Sequence, residues 1–327
     1  MNPPCSLCDG LRMSDILTIT LNPALDISTA VGTVTPGPKL RCEEPRYDPG
    51  GGGVNVSRAI KRLGGQSKAF VALGGENGAA FKALLDAEDI AVEHFEVSGN
   101  TRQSFAVLES TTGRQYRFQL PCPPWSSDQT DSALARLEPL LSGGSIVVLS
   151  GSMPTEVPAA IVETINKMAV ESGAELILDT SGQALTAAAA NRGPAFALLR
   201  MDGAEAAEVS GRTFSSPAQL ADYGMELIRA GAAHRLVMSM GASGTVGVSA
   251  TERFFCSPPR LETLSAVGAG DSMVAAIALE LSRGGSLRDA VRHGVAAAGS
   301  AVLTPATELC SKAMADEILE KVVTKEI

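Results

Sequence analysis

Between residues 145 and 239 the chain alternates short apolar runs with longer segments of helical period, and that alternation leaves few folds open. The runs are Ser145–Leu149, Leu176–Asp179, Phe196–Arg200 and Leu236–Ser239. Helical patterns separate them: one runs to Ser172, one lies near Ala184–Asn191, one begins at Ala204 and one passes through Leu227. Runs that are apolar at successive positions must be covered on both faces. Repeated strand–helix–strand units therefore predict an α/β fold, a doubly wound and mostly parallel sheet flanked by helices. With 327 residues, 45% hydrophobic but only 4% aromatic, the chain can fill one large core with Ala, Val, Leu and Ile.

The N-terminal part obeys the pattern less strictly. A β-branched run, Ile16-Leu17-Thr18-Ile19-Thr20-Leu21, stops at Asn22-Pro23. A strand at Lys68–Leu73, a helix at Gly78–Asp86 and a strand at Val92–Val97 follow. Gln103–Glu109 and Arg114–Leu120, joined at Thr111-Thr112-Gly113, read as a hairpin. Segments 28–47, with its Pro36-Gly37-Pro38 turn, and 101–121 break the alternation and are expected to form a small antiparallel β lid. Residues 1–14 read as a disordered leader before a domain at 15–327. Three helices are expected to close the chain: Ala269–Arg283, Leu287–Leu303 and Ser311–Val323.

Composition excludes some partners. A net charge of −9 argues against nucleic acid, which demands a basic surface. No apolar run approaches the roughly twenty residues a membrane helix needs. With no secretory signal, the six cysteines are expected to be reduced thiols of a cytoplasmic protein. Cys5 and Cys8 have the spacing of a metal half-site, but no second such pair accompanies them.

Two glycine-rich blocks carry chemistry. In Ser265-Ala266-Val267-Gly268-Ala269-Gly270-Asp271-Ser272-Met273, small residues precede a helix whose first turn holds a carboxylate. A helix start offers unpaired N–H groups and a positive dipole end, which suit a phosphoryl group in transfer. Asp271 could accept the proton of an attacking hydroxyl; taken alone, it could equally be a helix cap. The run is neither a Walker A loop nor a dinucleotide fingerprint. In Asp48-Pro49-Gly50-Gly51-Gly52-Gly53-Val54-Asn55, four glycines read as a bare backbone surface for a sugar rather than as core packing. Asn55 would hydrogen-bond sugar hydroxyls, and a flexible hinge is the plainer alternative.

These blocks resemble the two signatures of the ribokinase-like (PfkB) carbohydrate kinase family. The resemblance runs from about Ile16 to the last helix and is closest to the minor-isozyme type of 6-phosphofructokinase. It rests also on Gly37–Cys42, Pro49–Val56, Thr101-Arg102-Gln103, Gln115-Tyr116-Arg117-Phe118 and Val267–Val274. Tagatose-6-phosphate kinase and 1-phosphofructokinase are near relatives. The resemblance implies that Asp271 is the base and that the backbone of Gly268, Ala269 and Gly270 is the anion hole. It implies a sugar held by Asp26, Gly51, Gly52, Asn55 and Ser152, with its existing phosphate met by Lys39, Arg41 and Arg102. The ATP side would use Arg200, Asp202, Ser239, Gly241 and Gly244. Glu205 would hold Mg2+ through water, with Asp202 beside it, and a K+ site is implied near Thr304–Glu308. A homodimer through the lid is expected.

Departures sit on the ATP side. Many relatives carry Lys-Pro-Asn-x-x-Glu where this chain reads Arg200-Met201-Asp202-Gly203-Ala204-Glu205, and Thr304–Glu308 also differs from the usual pattern. Arg and Lys are not interchangeable at a phosphate. They motivate an alternative of another class, a sugar-phosphate-binding protein with weak or no catalysis.

Overall fold

The computed structural model of the chain describes residues 15–304 and 308–327. The expected leader, the Cys5/Cys8 pair and the middle of the Thr304–Glu308 stretch therefore lie outside the described residues.

Strand β1 (Ile16–Thr20) is buried at every position, and a turn at Asn22-Pro23 leads into β2 (Ala24–Val31). Then come β3 (Arg46–Gly50), α1 (Gly52–Arg62), β4 (Lys68–Leu73), α2 (Gly75–Ala87) and β5 (Ala91–Glu96). The hairpin is β6 (Arg102–Glu109) with β7 (Arg114–Gln119), followed by α3 (Ser127–Leu137). Strand–helix alternation then runs through β8 (Ile146–Ser150), α4 (Ile161–Ser172), β9 (Glu175–Asp179), α5 (Gly182–Ala190), β10 (Leu198–Asp202), α6 (Gly203–Ser210), α7 (Pro217–Arg229) and β11 (Arg235–Ser239). The chain closes with β12 (Thr245–Ser249), β13 (Arg253–Ser257), α8 (Ala269–Ser282), α9 (Leu287–Ala301), α10 (Lys312–Leu319) and β14 (Val323–Glu326).

Among the described residues ten strands form the main sheet, in the order β14-β13-β12-β11-β10-β9-β8-β1-β4-β5. From β11 to β5 the pairing is parallel, whereas β12, β13 and β14 extend one side antiparallel. The expected mostly parallel sheet is present, and β12, β13 and β14 are its antiparallel part. The chain after Leu319 turns back into β14 instead of continuing as helix to Val323.

Alternate side chains of the central strands feed two cores. Leu17, Val147, Leu149, Leu176 and Leu178 pack under α3–α7, while Ile16, Ile146, Val148 and Ile177 pack under α1, α8, α9 and α10. Helix α2 covers β4 on the second side through Phe81 and Leu85. At about 25 cal/mol per Å2 of apolar area, such two-sided burial is what makes a five-residue strand a stable element.

The lid departs from expectation. Its four strands are ordered β3-β2-β6-β7, and the central pair, β2 with β6, is parallel. Strand β2 follows β1 directly and β6 follows β5, so both leave the same edge of the body and run the same way. The expected all-antiparallel lid is thus a mixed sheet, and its strands reach back to residue 24.

Candidate active site

Parallel strands present their C-terminal ends to one crevice, the usual ligand position in such sheets. Here those ends carry Thr20, Ser150, Asp179, Asp202 and Ser239. The start of α8 meets them at Arg200 of β10, whose guanidinium lies beside Gly270.

Helix α8 begins at Gly268, whose φ of 76° turns the chain into the helix. That left-handed value is open to glycine at little cost, and a side chain there would also strike Leu309. Of the N–H groups that follow, that of Ala269 makes a long 3.4 Å bond back to the Ala266 carbonyl, and a helix start of this kind suits an anion. Asp271 lies in that turn, partly exposed. Asn55 Nδ2, from the first turns of α1, donates to Asp271 Oδ2 at 2.9 Å. The two glycine blocks, 216 residues apart, thus meet in one hydrogen bond. Burial pushes the Asp271 carboxyl up to about 7; Asp179 and Asp26 add to the rise, while Asn55 and Arg200 oppose it. A carboxylate of that basicity is suited to take a proton near neutral pH.

The four-glycine loop has a more mechanical reason than a bare sugar surface. A Cβ at Gly50 would collide with Asp26, one at Gly52 with Ser150, and one at Gly53 with the carbonyl of Ile19. Close packing of the loop on β1, β2 and β8 demands these glycines, which corrects the expectation that packing has no need of them. Gly51, with φ 122°, sets the turn into α1.

At the root of the lid Asp26 stands in β2, directly across from Asp48 on β3 and Ser104 on β6. Burial pushes its carboxyl up to about 6; Arg102, the Ser104 hydrogen bond and Arg117 pull it down, and Asp48 adds to the rise. Arg102 Nε donates to Asn22 Oδ1 at 2.9 Å, and Asn22 Nδ2 donates to Ser152 Oγ at 3.0 Å. Asn22, absent from the expected set, therefore ties Arg102 to the loop after β8. Lys39 and Arg41 do not join this group. They lie exposed between β2 and β3, without a hydrogen bond or ion pair to another described residue.

On the other side Arg200 is largely buried. Its Nη1 donates to Asp179 Oδ1 at 3.1 Å and its Nη2 to Ser239 Oγ at 3.1 Å, while its Nε is buried without a partner. Burial alone would lower its proton affinity, but Asp179, Glu205 and Asp202 outweigh it and hold the guanidinium charged. Asp202 caps α6: its Oδ1 accepts from the N–H groups of Ala204 and Glu205 at 2.9 and 2.8 Å. Glu205 Oε2 returns the contact by accepting from the Asp202 N–H at 2.7 Å. An Asn can make the same cap, so the Asp202 departure leaves the local backbone intact. Burial raises the Glu205 carboxyl, against the Asp202 N–H. Gly244, with φ 137°, lies so close to β13 that a side chain would strike the Cys256 carbonyl, and Gly241 opens the loop at φ 56°.

Sequence reading missed Asp179 and Asn22 as site residues. Each is the polar residue at or just past the end of an apolar strand, which is the signal available for them.

A doubly wound sheet with a carboxylate beside a glycine-rich helix start describes a phosphotransferase with an alcohol acceptor, and comparison with known proteins agrees. The model of the pfkB family carbohydrate kinases matches residues 15–314, and the chain belongs to that family. It is 41% identical over 300 residues to the ATP-dependent 6-phosphofructokinase isozyme 2 of Mycobacterium tuberculosis H37Rv, covering 91% of this chain and 86% of the relative. The protein of the same name from Escherichia coli K12 is 37% identical over 302 residues, 91% of this chain and 96% of the relative. The crystal structure of Escherichia coli phosphofructokinase-2 in complex with potassium superposes with a TM-score of 0.90 at 36% identity, covering 94% and 99% of the two chains.

Proposed function

We propose that the chain transfers the γ-phosphoryl group of ATP to the 1-hydroxyl of fructose 6-phosphate, giving fructose 1,6-bisphosphate and ADP. The observation that carries this reading is Asp271 at the start of α8, held by Asn55 from the sugar loop and basic enough to accept the hydroxyl proton. Asn55 and Asp26 orient the sugar, and Arg102 meets its phosphate from the pocket beside Asn22. Lys39 and Arg41 add to that contact when the exposed arm carrying them lies over the sugar. The N–H groups at Gly268, Ala269 and Gly270 hold the phosphoryl oxygens as charge shifts toward the leaving group. Ser239, Gly241 and Gly244 lie along the nucleotide.

Among the described residues no group of three or more His, Cys, Asp or Glu side chains could hold a metal by itself. The two carboxylates at the start of α6, Asp202 and Glu205, are a sparse oxygen donor set that fits Mg2+, which keeps most of its shell from phosphates and water. Glu205 would hold it through water with the oxygen not used by the Asp202 N–H, and Asp202 would stand beside it. Held there, Mg2+ would supply charge neutralisation at the phosphates of ATP. A K+ site belongs near Thr304 and Glu308.

A coupled ADP-release assay tests the reaction. Fructose 6-phosphate is expected to give the highest kcat/KM, above tagatose 6-phosphate and fructose 1-phosphate. No ADP release with any of the three overturns the proposal. Phosphosugar binding by calorimetry in that case would favour the binding-protein alternative.

A homodimer through the lid is part of the same reading. Five of the nine large apolar side chains exposed among the described residues lie there: Leu40, Tyr47, Leu108, Phe118 and Leu120. The lid also has open strand edges at β3 and β7, and a second copy would cover both features. Light scattering at micromolar concentration is expected to show a dimer, shifted toward monomer by Phe118→Lys; monomer alone in the unaltered chain overturns this. A cytoplasmic location accompanies the proposal, and among the described residues no helix is long and apolar enough to cross a membrane.

A further inference from the structure

Ser150, Asp179 and Arg200 are direct neighbours in the register of three adjacent parallel strands. Ser150 Oγ donates to Asp179 Oδ2 at 2.9 Å, Arg200 bonds Asp179 Oδ1, and Arg200 also reaches Ser239 at the end of the fourth strand. A polar row thus crosses β8, β9, β10 and β11 at the crevice edge. Both of its ends touch functional loops. Ser150 packs against Gly52 of the sugar loop, and Ser239 begins the loop at Gly241–Gly244. In its middle, the Arg200 guanidinium lies under Gly270: a Cβ on Gly270 would sit 3.3 Å from Arg200 Nη2.

Two features separate this row from an ordinary ion pair. Arg200 and Asp179 have side chains only 13% and 12% exposed, so each is costly to leave unpaired. Each terminal nitrogen of Arg200 gives an N–H to protein, one to Asp179 and one to Ser239, which fixes the plane of the guanidinium, and its Nε is buried without a partner.

We propose that Arg200 is a positioning residue rather than a phosphate ligand: through Asp179 and Ser239 it clamps four strand ends beneath Gly270 and so fixes the catalytic helix start against the sugar loop. The inference rests on the phosphotransfer reading for its kinetic test, and it also predicts a property of the free protein. The charged groups that act on Asp271 are Asp179 on β9, Arg200 on β10 and Asp26 on β2, with Asn55 on α1 as hydrogen-bond donor. Removing either member of the clamp leaves the other unopposed beside Asp271.

The test compares Asp179→Asn, Arg200→Gln and the double variant with the unaltered protein. The carboxyl 13C resonance of Asp271, assigned by its loss in Asp271→Asn, is titrated without substrates. Asp179→Asn is expected to move its midpoint down, and Arg200→Gln up, by roughly one pH unit. The double variant should return toward the starting value. In steady state both single variants should lower kcat alike and change the KM for ATP by less than about threefold, with the double no worse than either single. Should both single variants fail to fold, the double variant decides, since it leaves no buried charge unpaired. There, a lowered kcat with an unchanged KM for ATP supports the clamp. Midpoints that stay put overturn the inference. A KM for ATP raised tenfold or more by Arg200→Gln but not by Asp179→Asn, or raised in the double variant with kcat intact, also overturns it in favour of a phosphate contact. An unaltered protein with no turnover would count against the proposed reaction only, because the titration is read without it.

Discussion

Asp271→Asn is expected to cut turnover at least about a thousandfold while the protein becomes, if anything, more stable at alkaline pH. The loss follows from removing a general base that also positions the hydroxyl, an effect typically worth two to four orders of magnitude. An Asn at this position still accepts from Asn55 through its amide oxygen, so the loop geometry survives. The stability change has a definite sign. In the folded state the carboxyl is raised from 3.8 to about 7, so between those values the folded state binds more protons than the unfolded one. Stability is therefore lost as pH rises through about 4 to 7, and the ionised carboxylate is a net cost above that window. The cost is roughly 2–4 kcal/mol, from the free energy per pH unit and allowing for partial exposure. The variant escapes it: its Tm should exceed that of the unaltered protein at pH 8, and the difference should close near pH 4. The same displacement predicts that kcat/KM of the unaltered protein falls on acidification with a midpoint near 7. Retained turnover in the variant, or an acid limb near 4, would remove Asp271 from the role of base.

This inverse relation between activity and stability is expected where a charged group is held away from water for chemistry. It also distinguishes a base from a cap. A first-turn Asp acting only as a cap would stabilise α8, and its removal would lower Tm at every pH where it is ionised.

How much of this was legible in sequence depended on whether a feature is local. The buried runs of β8, β9, β10 and β11 announce themselves because both faces need apolar residues. Asp271 and Asn55 are marked by glycines that surround them. The first half of strand β2, before the expected lid segment at 28, was not seen because the half-buried Asp26 and Ser28 interrupt the apolar pattern. Strand β12 has Gly247 at its centre, β13 is buried only at alternate positions, and β14 is a polar edge with little apolar content to signal it. Helix α3 buries only Ala133 and Leu137, so its period is faint. The parallel pairing of β2 with β6 joins segments some 78 residues apart in register, and no local rule fixes which distant strands meet. Asp179 is the plainest case. One carboxylate at a strand end carries no motif, and its importance comes from lying between Ser150 and Arg200 once the sheet has formed. The Asp202 departure divides in two. In the fold its side chain caps α6, as Asn would, so the backbone is unaffected, and what differs is the added charge.

Arg102→Ala should damage the acceptor side alone, which makes it the complement of the first prediction. In the proposed reading Arg102 is a cation of the phosphosugar end, oriented by Asn22, which in turn is held by Ser152. A charge-assisted contact to a phosphate is worth about 1.5–3 kcal/mol, so the KM for fructose 6-phosphate should rise roughly tenfold to a hundredfold. The effect on kcat should be smaller, because a phosphate remote from the transferred group is bound nearly equally in ground and transition states. The KM for ATP should be unchanged. Unphosphorylated fructose supplies the control: its kcat/KM, low in the unaltered protein, should barely respond, since the contact that was removed is one it never makes. Loss of Arg102 also removes the strongest influence holding the Asp26 carboxyl down, so the variant's acid limb for fructose 6-phosphate should move to higher pH. Equal losses with phosphorylated and unphosphorylated sugar would assign Arg102 to holding the lid root instead, leaving Lys39 and Arg41 as the cations that meet the phosphate.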